Sequence, residues 1–377
     1  MSKTDVLDQL EKIKSIDKSN MLGHCVKTHE YCEDAVRLAE QVSVSYGRPQ
    51  RILIAGMGGS AISGEILRDW LLNELPIPIE VCRDYVLPAY VNKETLVFAI
   101  SCSGNTEETL SAFVDAIKRG CMTITITSGG HLLSFSKKLH VPHLTIPSEL
   151  PPRATLPYLF FPLPILMEKL DILQSREKEI QETVRVVKKL SRENSPETPV
   201  KNNLSKRLAL ELSETIPVVY GFREYVAIAH RLKTQFNENS KVPCKYEMFP
   251  ELNHNEVVGW EASEALAKCF SILLIRDRNE PLEIKDRIEA TKSLALNKVQ
   301  KVLEIYARGE SKLARMFSVL HVGDFASVYL AILHNTDPTP VETINKIKEE
   351  MRKKFNVVEK LKKEVQLRIT EKSFNLY

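Results

Sequence analysis

The sequence predicts an α/β protein of two domains, each an α/β/α sandwich with a mainly parallel sheet flanked by helices. Three observations carry this. Short apolar runs alternate with helical patterns from residue 51 onward, the signature of a parallel sheet covered on both faces. The same plan starts again near residue 211. Two Ser/Gly-rich turns, GMGGS at 56–60 and SCSGNT at 101–106, each follow an apolar run and open a helix. The 377 residues are ample for two or three packed domains.

Taken in order, residues 4–46 have helical apolar spacing and no strand alternation. Strands are expected at 52–55, 79–82, 96–100, 123–127 and 143–145, with helices around 61–73, 107–118 and 132–138. Pro147, Pro151 and Pro152 then break the pattern just before Arg153. Residues 156–170 are apolar and proline-punctuated, and read as a helix buried between domains. The charged stretch 175–205 reads as an exposed helix plus a mobile connector.

A second round follows, with strands at 216–220, 245–249, 269–276 and 301–306 and helices near 224–236, 261–268 and 283–290. An apolar helix is expected at 316–334. The glycine turns are not repeated, and Tyr220-Gly221-Phe222 is their only counterpart. After Ile344 comes a Lys/Glu-rich helix whose stripe of Met351, Phe355, Val358 and Leu361 suits core packing or a dimer contact better than a membrane. The expected divisions are a helical segment 1–45, a first domain 46–150, a connector 151–210, a second domain 211–348 and a tail 349–377.

Composition excludes several classes. Hydrophobic residues make up 43% and charged residues 27%, ordinary for a globular chain. A net charge of +3 asks for neither nucleic acid nor an anionic membrane. The polar amino terminus lacks the apolar centre of a signal peptide, and no later run reads as long enough to cross a bilayer. Seven scattered cysteines without a close CxxC pair point to free thiols in a reducing cytoplasm. His24, Cys25 and Cys32 could be taken for metal ligands, but they lack a second matched pair, and there is no HExxH. Cys102 lacks a basic neighbour and reads as a small neutral spacer rather than a nucleophile. No metal or cofactor is expected.

The turns themselves point to an anion. Glycines let the backbone approach a ligand, and unpaired N–H groups at a helix start attract negative charge. Ser60, Ser101, Ser103 and Thr106 add neutral donors, and a Gly-Lys-Ser/Thr ending for a nucleoside triphosphate is absent. Two readings compete with a sugar phosphate. Gly56, Gly58 and Ala61 satisfy a dinucleotide fingerprint, which leaves an NAD(P)-dependent oxidoreductase open; the ribose-binding acid it needs is ambiguous among Glu80, Arg83 and Asp84. The second turn, ahead of Glu107 and Glu108, also resembles ordinary helix capping.

The two turns together with PPRATLPYLF, FNENSK, ELNHNEVVGW and DPTPVETINKIK resemble the bifunctional phosphoglucose/phosphomannose isomerases of the sugar isomerase (SIS) fold. The resemblance spans about residues 17 to 348; the stretch 175–205 and the tail beyond 349 depart from it. It implies two SIS-type domains and a metal-independent aldose–ketose isomerase acting on glucose, mannose and fructose 6-phosphates. It also implies roles for individual residues. Gly59, Ser60, Ser101, Ser103 and Thr106 would hold the phosphate, and Glu238 would move the proton between C1 and C2. Arg153 would face the enediolate, His254 and Lys346 would help open the ring, and Thr339 would admit the mannose epimer. In related enzymes the histidine comes from the second subunit, which implies an obligatory homodimer.

The chemistry suits these residue types. A carboxylate held dry can take and return a proton, a general-base effect of about 10²–10⁴ in rate. Arginine stays protonated and stabilises an oxyanion without joining the proton transfer. Histidine exchanges protons near neutrality, as ring opening requires. Outside the motif each has a plainer role: Glu238 as an exposed helix-end acid, Arg153 in an interdomain salt bridge, His254 as a structural histidine and Lys346 as a solvated one. A phosphosugar-sensing SIS module without catalysis would share the turns and lack the proton-transfer groups.

Overall fold

A computed structural model of the protein describes residues 3–354 and 356–374, so Phe355 of the expected tail stripe lies outside the described residues. The chain forms two compact units. One comprises Tyr31–Ser175 and Val341–Tyr377, the other Met1–Glu30 and Arg176–Pro340. This grouping divides the expected amino-terminal segment after Glu30, and it assigns the chain from Val341 onward to the unit of the first sheet.

The first sheet contains β1 (Arg51–Ala55), β2 (Ile79–Cys82), β3 (Thr95–Ser101), β4 (Met122–Thr127) and β5 (His143–Thr145). All pairs are parallel, in the order β2-β1-β3-β4-β5. Central β3, TLVFAIS, is buried at every position, as an apolar run without alternation requires. Gly64 lets the helix Gly59–Leu71 lie close on β1, since a Cβ there would meet Ile54 Cβ at 2.8 Å. Helices Glu107–Lys118 and Gly130–Lys138 contribute Leu110, Phe113, Val114, Leu132, Phe135 and Leu139 to one core cluster.

The tail helix Val357–Phe374 completes that cluster with buried Leu361 and Val365, and Val358 packs at its border. Met351 is 40% exposed, so the expected stripe divides: its later members go to the core and Met351 does not. The single helix expected at 156–170 is two, Leu156–Phe160 and Pro162–Lys169. The prolines at 162 and 164 remove N–H donors where one helix would have to continue. Phe160 packs on Trp70 of its own unit, ring centroids 6.0 Å apart.

The second sheet contains β6 (Ile216–Phe222), β7 (Lys245–Phe249), β8 (Phe270–Arg276) and β9 (Lys301–Tyr306). It is parallel, in the order β7-β6-β8-β9, which repeats the order of the first sheet without its fifth strand. Helix Lys312–Leu333 runs through its core. This corrects the expectation that no run could cross a bilayer: its 22 residues and a window of mean hydropathy 1.6 pass by length and composition. That window is 89% buried inside the protein, and the surroundings are helices Glu177–Glu193, Leu204–Leu212 and Val226–Gln235.

Stretch 175–205 is likewise no exposed helix with a loose connector. Glu177–Glu193 buries Ile180, Thr183, Val184, Val187 and Leu190, an apolar face spaced at the helical period inside a charged sequence. The connector is pinned at both ends. Buried Asn194 accepts from the Ser205 amide at 3.0 Å, and Asn203 accepts from the Lys206 amide at 2.9 Å as a helix cap.

Candidate active site

Both Ser/Gly turns lie at the carboxyl ends of hydrogen-bonded neighbours, β1 and β3. In parallel sheets that edge is where ligands bind. Gly58 opens helix Gly59–Leu71 at φ 52°, a conformation that suits glycine. Ser60 is buried in the first turn, and among the described residues its hydroxyl has no hydrogen-bond partner.

The second turn is built differently from a helix cap. Thr106 occupies the cap position of Glu107–Lys118, yet its side chain makes no capping bond. Instead Thr106 Oγ1 accepts from Ser101 Oγ at 2.9 Å, leaving its own proton to donate, while Ser101 Oγ also accepts from the Gly104 amide at 3.1 Å. The Asn105 amide donates to Ser103 Oγ at 3.3 Å, and Ser103 itself is exposed. The hydroxyls thus bond one another and the turn's own amides rather than cap the helix, and the capping reading does not hold at Thr106. Gly104 is demanded by its φ of 65° and by the Gly129 carbonyl 1.9 Å from where its Cβ would be.

That contact reveals a third turn that the motif reading passed over. Ser128, Gly129 and Gly130 follow Thr127, the last residue of β4, and Ser128 donates to the Cys102 carbonyl from its amide at 2.9 Å and its hydroxyl at 2.6 Å. His131 N donates to Asn105 Oδ1 at 3.1 Å. The signal was present: TSGG after a strand repeats the Ser/Gly pattern of the first two turns.

Arg153 is buried in the 3-10 turn Pro152–Ala154 of the same unit. The turn lies beside the first Ser/Gly turn: the Pro152 carbonyl is 3.9 Å from the position of a Cβ on Gly59, and it accepts from the Thr155 hydroxyl at 2.7 Å. Burial pushes the Cys102 thiol upward, which agrees with a neutral spacer. Lys346 is exposed on helix Glu342–Lys354, which buries no residue. Burial and then the charge of Glu108 raise the Glu107 carboxyl, against the pull of Arg352 from that helix.

Glu238, Thr339 and His254 belong to the other unit. Helix Val226–Gln235 continues into one turn of π-helix, Phe236–Ser240, with half-buried Glu238 at its centre. Such turns are rare and often functional. Every polar neighbour in FNENS is engaged. Asn237 Oδ1 accepts from the Cys244 amide at 2.8 Å, Asn239 Nδ2 donates to Ser327 Oγ at 2.9 Å, and the Ser240 hydroxyl donates to Ser327 O at 2.6 Å. Lys241 joins this turn to Pro338, beside Thr339, whose amide donates to Asp337 Oδ1 at 3.0 Å.

His254 is exposed at the end of the 3-10 turn Glu251–His254. Glu238 precedes β7 and His254 follows it, so the five residues of that strand lie between them, about 16 Å at about 3.3 Å each.

The carboxyl edge of the second sheet is filled by its own side chains. Asp277 accepts from the Tyr225 hydroxyl and from Arg315 Nε, the latter at 2.7 Å. Gly221 serves packing, since a Cβ would lie 2.5 Å from the Tyr225 carbonyl. At the end of β2, Arg83 pairs with Glu65 at 2.6 Å, Glu80 accepts from the Tyr90 hydroxyl, and Asp84 accepts from the Tyr85 amide at 2.6 Å, so each candidate ribose acid is engaged locally or replaced by a base. Among the described residues no three His, Cys, Asp or Glu side chains cluster as metal ligands.

Two like-ordered parallel sheets, one edged with hydroxyl-bearing turns, define a double-SIS protein. The SIS domain family matches residues 46–140, and the bacterial phospho-glucose isomerase C-terminal SIS domain matches residues 201–351. The fold is shared with the crystal structure of a hypothetical protein from Thermus thermophilus (TM-score 0.73, 16% identity, 93% of this chain and 94% of that one). The sequence is 43% identical to the bifunctional phosphoglucose/phosphomannose isomerase of Caldicellulosiruptor bescii, over 85% of this chain and 96% of that protein. The bifunctional phosphoglucose/phosphomannose isomerase of Aquifex aeolicus is 37% identical, over 80% and 90%. The chain belongs to the bifunctional phosphoglucose/phosphomannose isomerase family.

Proposed function

We propose that the protein interconverts glucose 6-phosphate, mannose 6-phosphate and fructose 6-phosphate by proton transfer through an enediolate, without a metal. The observation that carries this is the pair of hydroxyl-lined helix N-termini at β1 and β3 with the buried Arg153 turn beside the first of them. Gly59, Ser60, Ser101, Ser103 and Thr106 take the phosphate through N–H and O–H donors. Arg153 stabilises the enediolate oxygens, a role its permanent charge suits. Glu238 takes the proton from one carbon and returns it to the other, its orientation set by the bonded π-turn. Ring opening falls to His254 with Lys346, and Thr339 accepts either epimer at C2.

The exposure of His254 and its place beyond the far end of β7 favour its acting in the site of a second copy, so the working form in this reading is a homodimer. Seven free cysteines suit a reducing compartment, which we take to be the cytoplasm. The test is incubation of the purified protein with fructose 6-phosphate and EDTA. Both aldose phosphates are expected; formation of neither, or of both only after a divalent metal is restored, would sink the reading.

A further inference from the structure

Resting on that reading, we infer that Lys241 is a positioning residue that sets the glucose-to-mannose preference by clamping the turn of the base to the segment carrying Thr339. The last residue of FNENSK has no assigned part in the chemistry. Its backbone is left-handed at φ 56°, ending the π-turn, and its amide donates back to Phe236 O. This conformation turns the side chain back along the helix end. Lys241 Nζ then donates to the Glu238 carbonyl at 2.7 Å, to the Asn239 carbonyl at 3.4 Å and to the Pro338 carbonyl at 2.8 Å.

One ammonium therefore bonds the peptide of the base and the peptide entering Thr339, whose carbonyl is on Pro338, 97 residues beyond Lys241. Bonds from a charged donor are stronger than neutral ones, and three acceptors fix the donor in place. Asn237, Asn239 and Ser240 also hold the π-turn, through Cys244 and Ser327. Losing the ammonium leaves the π-turn held by those bonds and removes this tie to the Thr339 segment, which loosens the one against the other. The epimers differ only in which face of C2 receives the proton. A shift of Thr339 against Glu238 then changes the two proton deliveries unequally, whereas a general loosening lowers both alike.

The experiment compares Lys241→Met with the wild type, using initial rates of glucose 6-phosphate and mannose 6-phosphate formation from fructose 6-phosphate. Methionine is unbranched at Cβ and keeps the backbone demand unchanged. The expected result is a change of about threefold or more in the ratio of the two rates, with KM for fructose 6-phosphate within about twofold because the phosphate anchor is elsewhere. Proportional loss of both products, or no change, overturns the inference. If Lys241→Met does not accumulate folded, Lys241→Gln, which keeps one amide donor group, carries the same comparison. Absence of both products from the wild type would instead reject the isomerase reading itself.

Discussion

At the scale of single residues, Glu238 and His321 make opposite kinds of demand on their surroundings. Glu238 is half-buried on a turn whose other polar side chains are all engaged. Glu238→Gln preserves shape and removes the base, so turnover should fall by about 10²–10⁴ while sugar-phosphate binding, measured by calorimetry, survives. Unchanged turnover would exclude Glu238 as the base. His321 is a buried group that the chemistry does not use, on the core helix Lys312–Leu333. Burial and then the nearby His29 lower its pKa from 6.5 to about 3, and its Nε2 meets Ser191 Oγ at 2.9 Å. Above pH 6.5 the ring is neutral in both states and its contribution is whole. Below that, the unfolded chain takes up a proton that the folded one refuses. Stability should therefore drop by about 1.4 kcal/mol per pH unit as the pH falls toward 3. Urea unfolding between pH 7 and 4.5 should show a shallower loss in His321→Gln than in the wild type; parallel slopes would mean the ring does not govern it.

Among the elements, the local ones were legible from sequence. Expected and observed bounds coincide for β2, β5, β7 and β9, short segments whose apolar and aromatic residues are set among a few polar ones. The two Ser/Gly turns proposed to take a phosphate were readable for a related reason, each lying within six consecutive residues. What escaped notice depends on partners far along the chain. Ser327 holds Asn239 across 88 positions, and no local pattern marks either serine or turn. The buried face of the helix Glu177–Glu193, expected as an exposed one, was masked by its charges, because that face takes only every third or fourth residue. The tail shows the same limit. Four apolar residues marked a stripe, but only the fold decides which of them finds a core. Leu361, 5% exposed in the cluster over helix Glu107–Lys118, should cost about 2–4 kcal/mol as Leu361→Ala, whereas Met351→Ala should stay within about 0.5 kcal/mol. Equal effects in urea unfolding would contradict this packing of the tail.

For the molecule as a whole, the decisive question is how many chains one active site needs. Glu238 and His254 flank β7 at opposite ends, and His254 is exposed. A proton relay within one sugar cannot span a strand of about 16 Å. If ring opening by His254 and proton transfer by Glu238 act on one substrate, the proposed reading draws the histidine from a second copy. Complementation separates the two arrangements. Glu238→Gln and His254→Gln should each be nearly inactive as pure dimers. After unfolding and refolding an equal mixture, half of the dimers are mixed, and each mixed dimer has one site built from two intact residues. Recovery of about a quarter of wild-type activity is therefore expected if subunits reassort at random. If a single chain supplied both groups, every site in the mixture would lack one of them, and no activity would return.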